Sequence, residues 1–185
     1  MWGTGVAARQ LAGKKCGQRL NGTIPISGAK NATLPLMIAS LLSDQTLTLE
    51  GVPQLADVTL LGRILGDLGV DITIDGKRPG CNGDAGVTMH LCAREIAGTT
   101  APYEMVSRMR AGFWVLGPLL ARMGQARVSM PGGCAIGTRP VDLYLMALEQ
   151  LGAQMELVDG YVVGRAPKGL RGGRVVFPKV TVGAT

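Results

Sequence analysis

The residues best suited to chemistry lie in one short run, Ser129-Met-Pro-Gly-Gly-Cys-Ala-Ile-Gly-Thr-Arg-Pro-Val-Asp142. Gly132, Gly133, Gly137, Pro131 and Pro140 make it a shaped loop, neither helix nor strand. Its middle holds Cys134, and Arg139 follows five positions later. A nearby cation lowers a thiol pKa and an exposed loop gives access, so a reactive thiol is one reading. A cysteine packed in a glycine-rich turn is the other. Elsewhere, Lys30 follows Ser27-Gly-Ala at a predicted strand-to-helix turn, where backbone N–H groups and an ammonium suit an anion. Arg108 and Arg110 sit in an otherwise apolar helical run, Ser107 to Trp114, and need an anionic partner, either an internal carboxylate or a ligand. Arg139 precedes a predicted helix start and suits phosphate or carboxylate. Asp142 is a helix cap or a proton acceptor, and Lys179 lies beyond a strand-like run. Two lysines, two arginines, a thiol and glycine-rich turns fit a substrate with several anionic groups. They do not fit serine hydrolysis, disulfide redox chemistry or metal hydrolysis.

Composition narrows the classes. The 19 basic and 13 acidic residues give a net charge of +6, which favours an anionic partner. The basic residues are scattered without interleaved aromatics, so no nucleic-acid partner is expected. The cysteines Cys16, Cys81, Cys92 and Cys134 lack C-x-x-C spacing and His90 is the lone histidine, so no metal site and no cofactor are expected. His90, Cys16, Cys81 and Cys92 have no neighbours in sequence to act with, and read as structural. No secretory leader or membrane span is apparent; reduced thiols in a cytoplasmic protein without a membrane partner are expected.

Along the chain, residues 1–19 read as irregular. Thr23–Ser27 reads as an edge strand, Asn31–Leu42 as a helix, and Thr46–Glu50 as a half-buried strand broken at Gly51-Val-Pro53. Asp57 is expected to cap a second helix, with Val58, Leu61, Ile64, Leu65 and Leu68 on its apolar face and Gly69 ending it. Asp71–Asp75 and Val87–Leu91 pair as strands. The pattern then recurs: a helix over Pro102–Met123, a strand over Ala126–Met130, a helix over Val141–Leu151, and a hairpin turning at Asp159-Gly160.

Ile64-Leu-Gly-Asp-Leu-Gly-Val-Asp-Ile-Thr-Ile-Asp-Gly76 matches Leu148-Glu-Gln-Leu-Gly-Ala-Gln-Met-Glu-Leu-Val-Asp-Gly160 at an offset of 83–84 residues. A repeat of about 80 residues is one β-α-β-α-β-β unit that cannot bury its helices alone. Gly173–Phe177 resembles Gly22–Ile26 and predicts the first strand of a third copy. The expectation is an α/β (α+β) fold: repeat 1 over about 22–92, repeat 2 over about 101–166, the start of a third over about 173–185, and a chain that ends mid-repeat.

Three long motifs carry a resemblance to a known family: Ile26-Ser-Gly-Ala-Lys-Asn-Ala-Thr-Leu-Pro35, Ala101 to Gly124, and Pro131 to Leu143. Over about Leu20 to Thr185 the sequence resembles the enolpyruvyl transferases, in the branch acting on UDP-N-acetylglucosamine in peptidoglycan synthesis. The resemblance implies an inverse α/β barrel of β-α-β-α-β-β repeats around a pseudo-threefold axis. It implies transfer of enolpyruvyl from phosphoenolpyruvate to the 3-hydroxyl of the UDP-sugar, releasing phosphate. By motif, Lys30 and Asn31 match the phosphoenolpyruvate-binding pair. Cys134 matches the loop cysteine that donates a proton and that fosfomycin alkylates. Arg110, the run Arg139, Pro140, Val141, Asp142 and Leu143, and the run Lys179, Val180, Thr181 and Val182 match nucleotide-sugar contacts. Many family members have lysine at the position of Ala56 and histidine at that of Tyr144, and both positions are expected at the anion pocket. Family enzymes are about twice this length with the active site between two domains, so a chain lacking its C-terminal part is expected to be inactive alone. The alternative is a non-catalytic nucleotide-sugar binding module.

Overall fold

The computed structural model describes residues 28–76, 86–132 and 141–180. Helix α1 (Lys30–Ala39) runs into a 3-10 turn, Ser40–Leu42. Strand β1 (Leu47–Val52), helix α2 (Ala56–Asp67), strand β2 (Asp71–Asp75) and strand β3 (Val87–Cys92) complete the first unit. The second holds β4 (Thr100–Ala101), a short α3 (Tyr103–Val106), a 3-10 helix (Arg110–Val115), α4 (Leu116–Met123), β5 (Gln125–Ser129), α5 (Asp142–Gln150), β6 (Gln154–Val158) and β7 (Tyr161–Arg165).

The two units share a sheet order. The first sheet runs β1-β3-β2, all antiparallel; the second runs β4-β5-β7-β6, with β4 parallel to β5 and the rest antiparallel. The predicted strand Thr23–Ser27, counterpart of β4, lies outside the described residues, but Gly28 N–H donates to the Gly51 carbonyl at 2.8 Å beside β1. Strand β3 alternates strictly, with Val87, Met89 and Leu91 inward and Thr88, His90 and Cys92 outward. The helices form the interior: Leu61, Leu65, Phe113, Leu116, Leu119 and Leu120 are all buried. Sheets outside and helices inside make the inverse α/β arrangement, although no barrel closes among the described residues.

The repeat is visible in backbone hydrogen bonds. After α2, Gly69 N–H donates to Gly66 O at 2.9 Å and Val70 N–H to Leu65 O at 2.9 Å. After α5, Gly152 N–H donates to Glu149 O at 2.9 Å and Ala153 N–H to Leu148 O at 3.0 Å. Both are Schellman caps, and both need a left-handed residue just past the helix; Gly69 (φ 99°) and Gly152 (φ 98°) supply it, 83 positions apart. The Asp159-Gly160 turn has positive φ at both residues, 51° and 78°, as a two-residue hairpin following the sheet twist requires.

One side chain ties the units together. Arg122 on α4 donates through Nη1 to the carbonyls of Ala93 (2.6 Å), Leu41 (3.2 Å) and Ser43 (3.2 Å), and through Nη2 to Arg94 O (3.4 Å). These four oxygens close two chain segments of the first unit, the turn after α1 and the end of β3.

Several expectations are corrected. Gly51 does not break β1: the strand continues to Val52 through a register shift between Leu49 and Val52, with Gly51 at φ 68°. Asp57 does not cap α2, because Leu55 is the N-cap and makes no side-chain bond; Asp57 lies in the first turn. Asp142 likewise follows the N-cap, Val141. Pro102–Met123 is not one helix. It is a four-residue helix, a non-helical link and a 3-10 helix before α4, with Gly112 set so close to Ile64 Cδ1 that an added Cβ would lie 3.1 Å from it. Gly173–Phe177 forms no strand, since no described segment pairs with it.

Candidate functional site

Lys30 is the first residue of α1, and both it and Asn31 are exposed. The N-terminal N–H groups of a helix carry a partial positive charge, so a lysine there adds to an anion-attracting end. No acidic residue lies in the first turn of α1. Instead Lys30 Nζ donates to Asp57 Oδ2 at 2.9 Å, from the first turn of α2. Asp57 has the position expected of a cap, and its sequence neighbours give no sign of this contact. Its partner stands 27 positions away, and no local pattern signals it.

Arg110 opens the 3-10 helix, half-buried, and that helix packs on α1 and on α2. Arg108, two residues earlier, is exposed. The cysteine loop starts against the same segment: a Cβ on Gly132 would lie 2.6 Å from Ser107 O, so only glycine fits there. Its lead-in is fixed by Met130 N–H, which donates to Gly160 O at 2.9 Å. The loop ends at Val141, buried, beside exposed Asp142 and half-buried Leu143. Thus the first and last described residues of the loop are anchored, the first beside the Arg110 segment. Cys134, Arg139, Pro140, Thr181 and Val182 lie outside the described residues. Lys179 and Val180 are exposed.

Ala56 is the exposed first residue of α2, next to Asp57. Tyr144 is tied into the packing between helices. Its hydroxyl donates to Trp114 O at 3.1 Å and accepts from Gly117 N–H at 3.1 Å, and its ring meets Phe113 edge-on, centroids 5.8 Å apart. It bridges the junction where the 3-10 helix becomes α4, pinning α5 to that junction. Burial pushes its phenol up to about 12, against a smaller lowering by the Gly117 N–H. A raised phenol pKa stabilises the fold below the ordinary value of 10, and that contribution disappears as pH rises from 10 to about 12. Ultraviolet titration should therefore show one of the three tyrosines ionising only near pH 12, together with unfolding. Tyr144→Phe should remove that late step; a late step surviving in the variant would contradict the assignment.

The outer face of the first sheet carries a cross-strand row. His90 Nδ1 accepts from Thr48 Oγ1 at 2.9 Å when Nε2–H donates to Asp75 Oδ2 at 3.2 Å. Cys92, a free thiol, donates to Asp44 O at 3.5 Å. These partners satisfy both groups locally, in keeping with a structural reading; Cys16 and Cys81 lie outside the described residues. Among the described residues no group of three His, Cys, Asp or Glu is placed to hold a metal ion, and no helix is long and apolar enough to cross a membrane.

Two repeated units place their sheets outside buried helices, with a cation at the start of α1. A profile of the EPSP synthase (3-phosphoshikimate 1-carboxyvinyltransferase) family matches residues 14–185, and the chain belongs to that family. Within it, the chain is 70% identical over 169 residues to the UDP-N-acetylglucosamine 1-carboxyvinyltransferase of Azorhizobium caulinodans. It is 68% identical over 169 residues to the protein of that name from Xanthobacter autotrophicus. Each match covers 91% of this chain and 39% of the relative, so the chain spans about two-fifths of their length. Among solved structures, the enolpyruvyl transferase NikO from Streptomyces tendae superposes with a TM-score of 0.67 at 24% identity, over 84% of this chain and 32% of that one. EPSP synthase from Acinetobacter baumannii gives 0.61 at 19% identity, over 88% and 36%. These two likenesses establish the fold.

Proposed function

We propose that this chain supplies the phosphoenolpyruvate-binding and proton-donating part of an enzyme that moves enolpyruvyl onto the 3-hydroxyl of UDP-N-acetylglucosamine, a step of peptidoglycan synthesis in the cytoplasm. The observation that carries the reading is high identity across nine-tenths of the chain to relatives bearing that activity in their name. The position of Lys30 at the start of α1 supports it.

In this reading, the ammonium of Lys30 and the N-terminal N–H groups of α1, with Asn31, receive the phosphate of phosphoenolpyruvate. Arg110 and the run Arg139, Pro140, Val141, Asp142 and Leu143 meet the nucleotide sugar, as does the run Lys179, Val180, Thr181 and Val182. The sugar hydroxyl gives up its proton to a base as its oxygen bonds to C2 of phosphoenolpyruvate, while the Cys134 thiol gives its proton to C3 and is left as a thiolate, forming a tetrahedral ketal. Return of a C3 proton to the thiolate and departure of phosphate from C2 then leave the enolpyruvyl ether and restore the thiol. Cations around the carboxylate and phosphate stabilise the charge that builds in the addition step. Closure of the cysteine loop excludes water. The rest of the protein, absent from this chain, completes the cleft.

Phosphate release tests this. A longer form containing this chain should release phosphate only when phosphoenolpyruvate and UDP-N-acetylglucosamine are both present, and the 185-residue chain alone should not. Turnover by the isolated chain would overturn the need for a second part. Tight UDP-sugar binding without any phosphate release by the longer form would favour a binding module.

A further inference from the structure

We propose that Asp57 is a positioning residue that holds the Lys30 ammonium over the start of α1 for a phosphorylated carboxylic acid, an inference that rests on the functional reading above. Lysine is a poor fit at the start of a helix, since its charge has the same sign as the helix end and its long stem swings freely into water. Here the stem is tied: Nζ lies 2.9 Å from Asp57 Oδ2. The carboxylate comes from the first turn of α2. The two helices pack on each other, so the ion pair spans a fixed gap.

Both side chains are about two-fifths exposed, 45% for Lys30 and 41% for Asp57. An ion pair so exposed adds little to stability. What it does fix is geometry. An ammonium has three N–H donors, and Asp57 takes one, leaving two to point at a ligand. The formal charges of the pair cancel, yet both helix ends remain positive, so the seat still attracts an anion. Asp57 thus converts a mobile cation into a directed donor at no loss of sign.

Titration of phosphoenolpyruvate in the presence of UDP-N-acetylglucosamine tests this on the whole chain and on a longer form. Asp57→Asn should weaken binding about tenfold with an unchanged melting temperature. Asp57→Glu should recover part of the loss. In a Lys30→Met background, Asp57→Asn should cost nothing further. Carbon-13 labelling of lysine gives a ligand-free reading: the two Cε protons of Lys30 should be inequivalent in the wild type and averaged in Asp57→Asn. Unchanged or tighter binding by Asp57→Asn, or an equal loss in the Lys30→Met background, overturns the proposal. If the wild type binds no phosphoenolpyruvate, the functional reading fails, and the lysine signals alone decide whether Asp57 fixes Lys30.

Discussion

Replacing Arg122 with alanine is expected to destabilise the chain by about 3 kcal/mol, lowering its melting temperature by roughly 10 °C. The guanidinium meets four carbonyl oxygens, at 2.6, 3.2, 3.2 and 3.4 Å. Nη1 has two hydrogens for three of these, so one bond is shared and the four do not add in full. The carbonyls belong to two segments where the elements end: Leu41 in the 3-10 turn and Ser43 just past it, Ala93 and Arg94 just past β3. Removing the cation takes away a donor from each of those oxygens and leaves α4 joined to the 3-10 turn of the first unit by packing alone. Arg122→Lys should recover less than half, because one ammonium cannot span a fork of four acceptors. Urea unfolding of the three proteins measures this; a loss under about 0.5 kcal/mol for alanine, the range of an ordinary surface substitution, would show that the clasp holds nothing.

The second large effect concerns turnover. Cys134→Ser in a longer, active form is expected to lower phosphate release at least about a hundredfold, the scale of a lost general acid. A thiol with an unperturbed pKa of ~8.5 can give up a proton near neutral pH, whereas a serine hydroxyl is a far weaker acid. Affinity for UDP-N-acetylglucosamine should hold, because the contacts assigned to the nucleotide lie in Arg139–Leu143 and 179–182. A serine variant that turns over normally would remove Cys134 from the chemistry and leave it as a residue of the loop.

What could be read in advance depended on how far apart the interacting residues lie. The apolar face of α2 and its end at Gly69 are written within a dozen residues, and the same signals recur at Leu148 and Gly152, so helices, paired strands and the repeat were legible. Residues 102–123 read as one helix because apolar spacings of three and four look alike in sequence. Close packing of Gly112 on Ile64, 48 positions away, accompanies a 3-10 turn there instead. Gly173–Phe177 has a strand's composition but no described strand to pair with. The site divides the same way. The position of Lys30 at a helix start is legible from its turn, but its pairing with Asp57 is not. Tyr144 reads as a pocket residue by position; the bonds of its hydroxyl to Trp114 and Gly117, 30 and 27 residues away, are not legible. Arg122 gave no signal, as its acceptors are backbone oxygens up to 81 residues distant.

The proposed function requires Cys134 to react at a seat that binds phosphoenolpyruvate. Peptide mass spectrometry after incubation with fosfomycin and UDP-N-acetylglucosamine tests it most directly, using a longer form that contains this chain. One covalent fosfomycin should appear on the peptide carrying Cys134, while Cys92 stays unmodified, and excess phosphoenolpyruvate should slow the labelling. Fosfomycin spread evenly over the cysteines, or none on Cys134 while the UDP-sugar is bound, would contradict the account.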